Sequence, residues 1–280
     1  MDELEAMLQG QLERIRANQK MMPCQPSEQT ERKYKCPKCK DTGTVLARVE
    51  DGIEYYGDCE CKAIRIMESK LQFANIPKEF DGYTVESFDL ALYQSPDALE
   101  KAEMAKVLCT NYVNDFLEIK ESGKGLYMYS HTKGSGKTRM AASIANDIIT
   151  KYKISAKFAT TLQILDEIKR TWADDSEFAG EQKFLQDIIR VPVLVIDDIG
   201  VEKPTSWVNE KFYNILNGRM IQKQITIFTS NCAMENLLFD DRIINRILKM
   251  ALPVPFPDES VRASLAKAEN REFYNRLLRG

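Results

Sequence analysis

Within this 280-residue chain, Gly134, Ser135, Gly136, Lys137 and Thr138 form the stretch best suited to chemistry. Two closely spaced glycines let successive backbone N–H groups close around a polyphosphate, and a helix starting there adds a partial positive charge. A lysine at this place reaches the β- and γ-phosphates, and the threonine hydroxyl after it can hold magnesium. The apolar-aromatic segment Leu126 to Tyr129 precedes the run, and a helical pattern from Arg139 to Asn146 follows it. Strand, glycine-rich turn and helix is the context that a phosphate-binding loop requires. His131 stands where the pattern G-x-x-x-x-G-K-[ST] has its first glycine, so the start of the loop is expected to be stiffer.

Two acids complete the candidate site. Val193 to Ile196 is an unbroken apolar run, as in a strand buried on both faces of a parallel sheet, and it ends in Asp197 and Asp198. Carboxylates at the end of a buried strand need a cationic partner. This strand is expected beside the strand of the phosphate loop, with Asp197 binding magnesium and Asp198 orienting an attacking water. The plainer reading is a core strand running into an acidic turn. A third apolar run, Ile225 to Thr229, leads into Ser230 and Asn231. Asn231 is placed to lie between the other two strands and touch the γ-phosphate or its water, although a strand-end Asn is also a common turn residue. The implied cofactors are ATP or ADP with Mg2+.

Cysteine usage points to a second centre. Of seven cysteines, Cys36 and Cys39 form one close pair and Cys59 and Cys61 another, while Cys24, Cys109 and Cys232 stand apart. Two close pairs without a secretion signal read as a metal site and not as a disulfide framework. Four thiolates suit tetrahedral Zn2+ in a closed structural site. Reduced structural cysteines and a redox pair are the competing readings. Asp51-Gly52 between two strand-like runs marks a hairpin, which makes the unit a zinc ribbon or knuckle.

The elements that must position these groups follow from patterning. Hydrophobic residues make up 44% and charged residues 29%, with a net charge of −3, which gives no global attraction to nucleic acid. No apolar stretch reaches the roughly 20 residues of a membrane span, so no membrane association and a cytoplasmic location are expected. Residues 1–62 read as an N-terminal helix and a zinc-binding domain, 63–95 as a linker, and 96–280 as the nucleotide domain. Within the last, strands and helices alternate at Ser155–Thr160, Leu162–Trp172, Val193–Ile199, Trp207–Gln222, Ile225–Ser230 and Asn236–Met250. Such alternation means an α/β parallel sheet covered on both faces.

The order of these motifs, with Asn75 to Phe80 and Glu259 to Arg262, resembles the DnaC/DnaI group of replicative helicase loaders. The similarity is closer to the phage and prophage versions from Firmicutes, and it covers nearly the whole chain. It implies an AAA+ P-loop NTPase domain related to bacterial initiators and to the IstB transposition ATPases. It further implies a weak ATPase acting as an assembly switch, docking of residues 1–62 on a hexameric replicative helicase, single-stranded DNA binding and self-association through the AAA+ domain. By the same resemblance, Arg246 matches an arginine that reaches a neighbouring subunit's nucleotide, and Arg262 matches one that contacts nucleotide in cis. Arg242 lies four residues before Arg246 on the same helical face and competes for the former role. Lys169, Arg170 and Trp172 are the candidate DNA contacts, a basic pair beside a ring suited to stacking on bases. The alternative function is an IstB-type transposition helper, a class that generally lacks a four-cysteine unit at this place.

Overall fold

A computed structural model describes residues 34–50, 52–170, 177–200 and 204–279. The expected N-terminal helix, Cys24, Trp172 and Asp51 lie outside them. The chain divides into two compact units between Lys62 and Ala63.

The smaller unit contains the expected hairpin. Strand β1 (Thr44–Glu50) pairs antiparallel with β2 (Ile53–Asp58), with an irregularity between Leu46 and Arg48. Gly52 at the turn has φ of 77°, the left-handed conformation that a two-residue hairpin turn demands and glycine supplies. Helix α1 (Glu60–Ala74) begins two residues after β2.

The larger unit is a five-stranded, all-parallel sheet with helices on both faces. Its strands are β3 (Gly125–Tyr129), β4 (Ala156–Thr160), β5 (Val193–Asp197), β6 (Ile225–Ser230) and β7 (Ala251–Pro255), in the order β4-β5-β6-β3-β7. Its helices are α2 (Pro96–Asn114), α3 (Phe116–Ser122), α4 (Lys137–Tyr152), α5 (Thr161–Arg170), α6 (Glu177–Arg190), α7 (Ser206–Ile221), α8 (Asp241–Met250) and α9 (Val261–Arg279). One expectation needs correction. The acid-bearing strand β5 is not beside the phosphate-loop strand β3, because β6 pairs with both and separates them.

Side chains alternate across the sheet with the period of two that a strand imposes. Val193 and Val195 enter one core while Leu194 and Ile196 enter the other; Leu126 and Met128 oppose Tyr127 in the same way. The first core includes residues of α2 and α4, the second residues of α5, α7 and α8. Residues 63–95, expected as a linker, supply Ala74, Phe80, Val85, Phe88 and Tyr93 to the first core. Each large apolar side chain fully buried in this way contributes about 1.5–3 kcal/mol.

Helix ends follow local chemistry. Ser95 caps α2 by accepting from the Ala98 amide ahead of Pro96, and Thr205 caps α7 by accepting from the Val208 amide. Helical structure breaks at Asp115, which separates α2 from α3. Strand β7 was not expected, since Pro253 and Pro255 interrupt its pattern. At the sheet edge it needs only one partner, β3, so prolines are tolerated there.

Arg219 on α7 is fully buried. Burial works against its charge, and neutral acceptors offset this. It donates to the carbonyls of Ile188 at 2.6 Å, Val191 at 2.9 Å and Ile225 at 2.5 Å, and to the Thr226 hydroxyl at 2.9 Å. One side chain thereby joins the end of α6, α7 and the start of β6. Arg219→Ala should leave those acceptors unpaired and open a cavity, lowering stability by about 3 kcal/mol. A chemical-denaturation midpoint equal to wild type would refute this joining role.

Candidate nucleotide site and cysteine cluster

The loop between β3 and α4 requires its glycines for space as well as backbone conformation. Gly134 has φ of 79° and Gly136 φ of 94°. A Cβ on Gly134 would lie 2.9 Å from both Arg262 Cβ and Ser260 Oγ, and one on Gly136 would lie 2.7 Å from the Tyr93 hydroxyl. That hydroxyl donates to the Ser135 carbonyl at 2.9 Å. At the loop start the His131 amide donates to Asp258 Oδ1 at 3.1 Å, which also accepts from Ser130 Oγ at 3.1 Å. Glu259 accepts from the Gln94 and Ser95 amides at 2.9 and 3.1 Å, and the Arg262 amide donates to the Gly134 carbonyl at 3.3 Å.

Lys137 is only 4% exposed. Its ammonium donates to the Thr132 carbonyl at 3.0 Å and Ser135 Oγ at 3.2 Å, inside the loop. Burial lowers its pKa, and the carboxylates of Asp198 and Asp197 pull the other way. Asp197 is also buried, which pushes its carboxyl up to about 6; neighbouring Asp198 adds to the rise, while hydrogen bonds from Thr229 and Thr138 oppose it. Thr229 Oγ1 donates to Asp197 Oδ1 at 2.6 Å and accepts the Asp198 amide at 2.9 Å. Asp198 takes the left-handed conformation, φ 55°, and lies on the cavity wall. The two acids thus face different ways: Asp197 points inward toward Thr138 and Thr229, and Asp198 is open to the cavity.

That cavity, of about 600 Å³, brings together Gly134, Ser135, Gly136, Lys137, Thr138, Asp198, Asn231 and Arg262. Glu79, Phe80, Tyr83 and Arg139 close another part of it. Asn146 Nδ2 donates to the carbonyls of Phe80 and Tyr83, both at 2.9 Å, and Asp147 accepts the Val85 amide at 2.9 Å, which fastens this aromatic segment to α4. The Arg139 guanidinium stacks 4.7 Å from the Tyr83 ring. The pairing of Thr138 with Asp197 fits a magnesium site, because a hydroxyl and a carboxylate meet at the loop end where oxygen ligands are needed. Sequence reasoning missed Thr229, whose signal was its place two residues before Asn231 on an apolar strand.

Arg246 does not line the cavity. It lies on α8 and hydrogen-bonds to Tyr213 and Asn217 of α7. Arg242 is exposed and pairs with Asp240 at 3.3 Å. The basic pair at the end of α5 has local partners: Lys169 lies 5.6 Å from the Trp207 ring, and Arg170 pairs with Glu167 at 3.4 Å.

Cys36, Cys39, Cys59 and Cys61 converge, with all four sulfurs within 4.8 Å of one another. Cys36 Sγ lies 3.8 Å from Cys59 Sγ, and Cys39 Sγ lies 3.3 Å from Cys61 Sγ. Tetrahedral zinc with Zn–S bonds of about 2.3 Å separates its sulfurs by about 3.8 Å, so the cluster fits that ion. Cys39 is buried, which alone would raise its pKa; hydrogen bonds from the Gly43 amide and the other three thiols bring it down to about 6. A thiol that ionises this readily is suited to a metal. Among the described residues, no helix is long and apolar enough to cross a membrane.

Residues 58–267 match the family of IstB-like ATP binding proteins, three quarters of the chain. The chain belongs to that family. It is 30% identical to the replicative helicase loader DnaI of Bacillus subtilis over 75% of this chain and 69% of that protein. It is 26% identical to phage-like element PBSX protein XkdC of the same organism, over 84% and 86% respectively. The crystal structure of DnaI matches with a TM-score of 0.51 and 28% identity, covering 67% of this chain and 94% of that one. The DnaC helicase loader, at 22% identity and a TM-score of 0.54, shares the fold. This IstB-like protein is therefore a member of an AAA+ group that binds ATP, similar to the DnaI and DnaC loaders.

Two measurements check the site. Thr229→Val keeps the shape but removes the donor to Asp197, and it should weaken magnesium-dependent ATP binding about tenfold, as expected for a lost hydrogen bond to a charged group. Unchanged magnesium titration would refute that role. Elemental analysis should find about one zinc per chain, lost in Cys39→Ser. Full metal content in a variant lacking all four cysteines would end the assignment.

Proposed function

We propose that this protein is an ATP-dependent loader of a hexameric replicative DNA helicase onto single-stranded DNA. The observation that carries this reading is its 30% identity to the helicase loader DnaI over three quarters of the chain. The cysteine cluster supports a loader over a transposition helper, and residues 1–62, which carry it, would dock on the helicase.

The residues divide the work of a slow ATPase. The loop amides and Lys137 bind the polyphosphate, and Thr138 and Asp197 would hold magnesium, which would supply neutralising charge for the phosphates. Asp198 and Asn231, both on the cavity wall, orient the attacking water. Thr229 fixes Asp197 and the Asp198 backbone together. Arg262 contacts the nucleotide of its own subunit. Arg246, held away from its own cavity, serves the nucleotide of a neighbouring copy. This division makes full activity a property of the assembly, and hydrolysis then acts as the release step.

Co-purification with the replicative helicase should be strong with ATP and weak in Lys137→Ala. Arg246→Ala should bind ATP normally but lose ATP-dependent self-association and most turnover. Capture of no helicase with or without ATP, together with tight binding to a transposase, would transfer the protein to the transposition class.

A further inference from the structure

Arg246 is held on its own subunit by a set of groups on the adjoining helix. Its Nε and Nη2 both donate to Asn217 Oδ1, at 3.1 and 3.0 Å. Nη2 also donates to the Tyr213 hydroxyl at 2.7 Å, and Nη1 to the Arg242 carbonyl at 2.8 Å. The guanidinium carbon lies 4.0 Å from the centre of the Tyr213 ring. Tyr213 and Asn217 are four residues apart on α7 and so share one face. These acceptors are an amide, a phenol and a peptide carbonyl, all neutral. They orient the guanidinium without cancelling its charge. The treatment of Arg242 is different: it is paired with the carboxylate of Asp240 and is 72% exposed in its side chain.

We propose that Tyr213 and Asn217 are positioning residues for the trans-acting Arg246, holding it as a preformed cation for the phosphate groups of nucleotide bound to a second copy of this chain. An unrestrained arginine must lose rotamer freedom when two copies meet. One already stacked and hydrogen-bonded has lost most of it beforehand, which favours assembly. The fork shape of the guanidinium also explains the asparagine. Its single oxygen takes two guanidinium N–H groups, whereas an aspartate there would neutralise the charge that must meet the phosphates. The proposal rests on the reading of Arg246 as the trans-acting arginine.

The test uses the full-length protein with Mg-ATP. Asn217→Ala removes the doubly used acceptor, and Tyr213→Phe removes one hydroxyl while keeping the ring. Asn217→Ala should lower assembly-dependent ATP turnover about tenfold and Tyr213→Phe by less, with the affinity of the monomer for fluorescent ATP unchanged. Mixing Asn217→Ala with Lys137→Ala should recover turnover, because the first supplies an intact nucleotide cavity and the second an intact α7–α8 face. A variant that had merely loosened α7 would instead show a lowered denaturation midpoint, which loss of positioning alone leaves near wild type. Wild-type turnover in both α7 variants, alongside an impaired Arg246→Ala, overturns the positioning role, as does failure of the mixture to recover. Wild-type turnover in Arg246→Ala itself removes the trans-acting reading, and the positioning role falls with it.

Discussion

A carboxylate buried at the end of a parallel sheet is the constraint on which the nucleotide site depends. Asp197 is 5% exposed, and water cannot supply most of the solvation that its charge requires. Thr229 from β6 and Thr138 from α4 donate in its place. This explains why the sheet order matters. Because β6 lies between the acid-bearing strand and the loop-bearing strand, a hydroxyl on β6 can reach the acid, and the following Asn231 reaches the cavity. Were β5 directly beside β3, there would be no intervening strand to carry both groups.

The chemistry-bearing stretches were legible because each is local. The glycines before Lys137, the apolar run into Asp197 and the two cysteine pairs announce themselves within a few residues. Pairing is not local. Nothing in the runs Val193–Ile196 and Ile225–Thr229 says which of them neighbours β3, so the sequence reading put the wrong strand there. The prolines of β7 hid a strand for a related reason: tolerance of Pro253 and Pro255 depends on β7 lying at an edge, and sequence does not reveal edges. Residues 63–95 look like a connection by Pro77, Gly82 and their charges. Their aromatic residues are spaced irregularly, and only the fold shows Phe80 and Tyr83 beside the phosphate loop.

The cysteine spacing makes the same point on a smaller scale. A Cys-x-Cys pair on a continuous strand would direct both thiols to one face but leave them far apart along it. Here Cys59 and Cys61 flank the place where β2 gives way to α1, and the turn brings their sulfurs into one cluster. The unusual spacing is therefore a consequence of a strand-to-helix junction. The hydrogen bond from Gly43 to Cys39 and the left-handed conformations of Lys40 and Asp41 shape the opposite side of the same cluster.

The root of α9 is fastened on two sides, to the phosphate loop through Asp258 and the Arg262 amide and to the start of α2 through Glu259. The rest of this 19-residue helix is largely exposed, including Phe273, Tyr274, Leu277 and Leu278 at its far end. A rod of that length, about 28 Å at 1.5 Å per residue, acts as a pointer. A tilt of about 10° at the root would displace its tip by about 5 Å, so a small adjustment of the loop would become a large movement of an apolar surface.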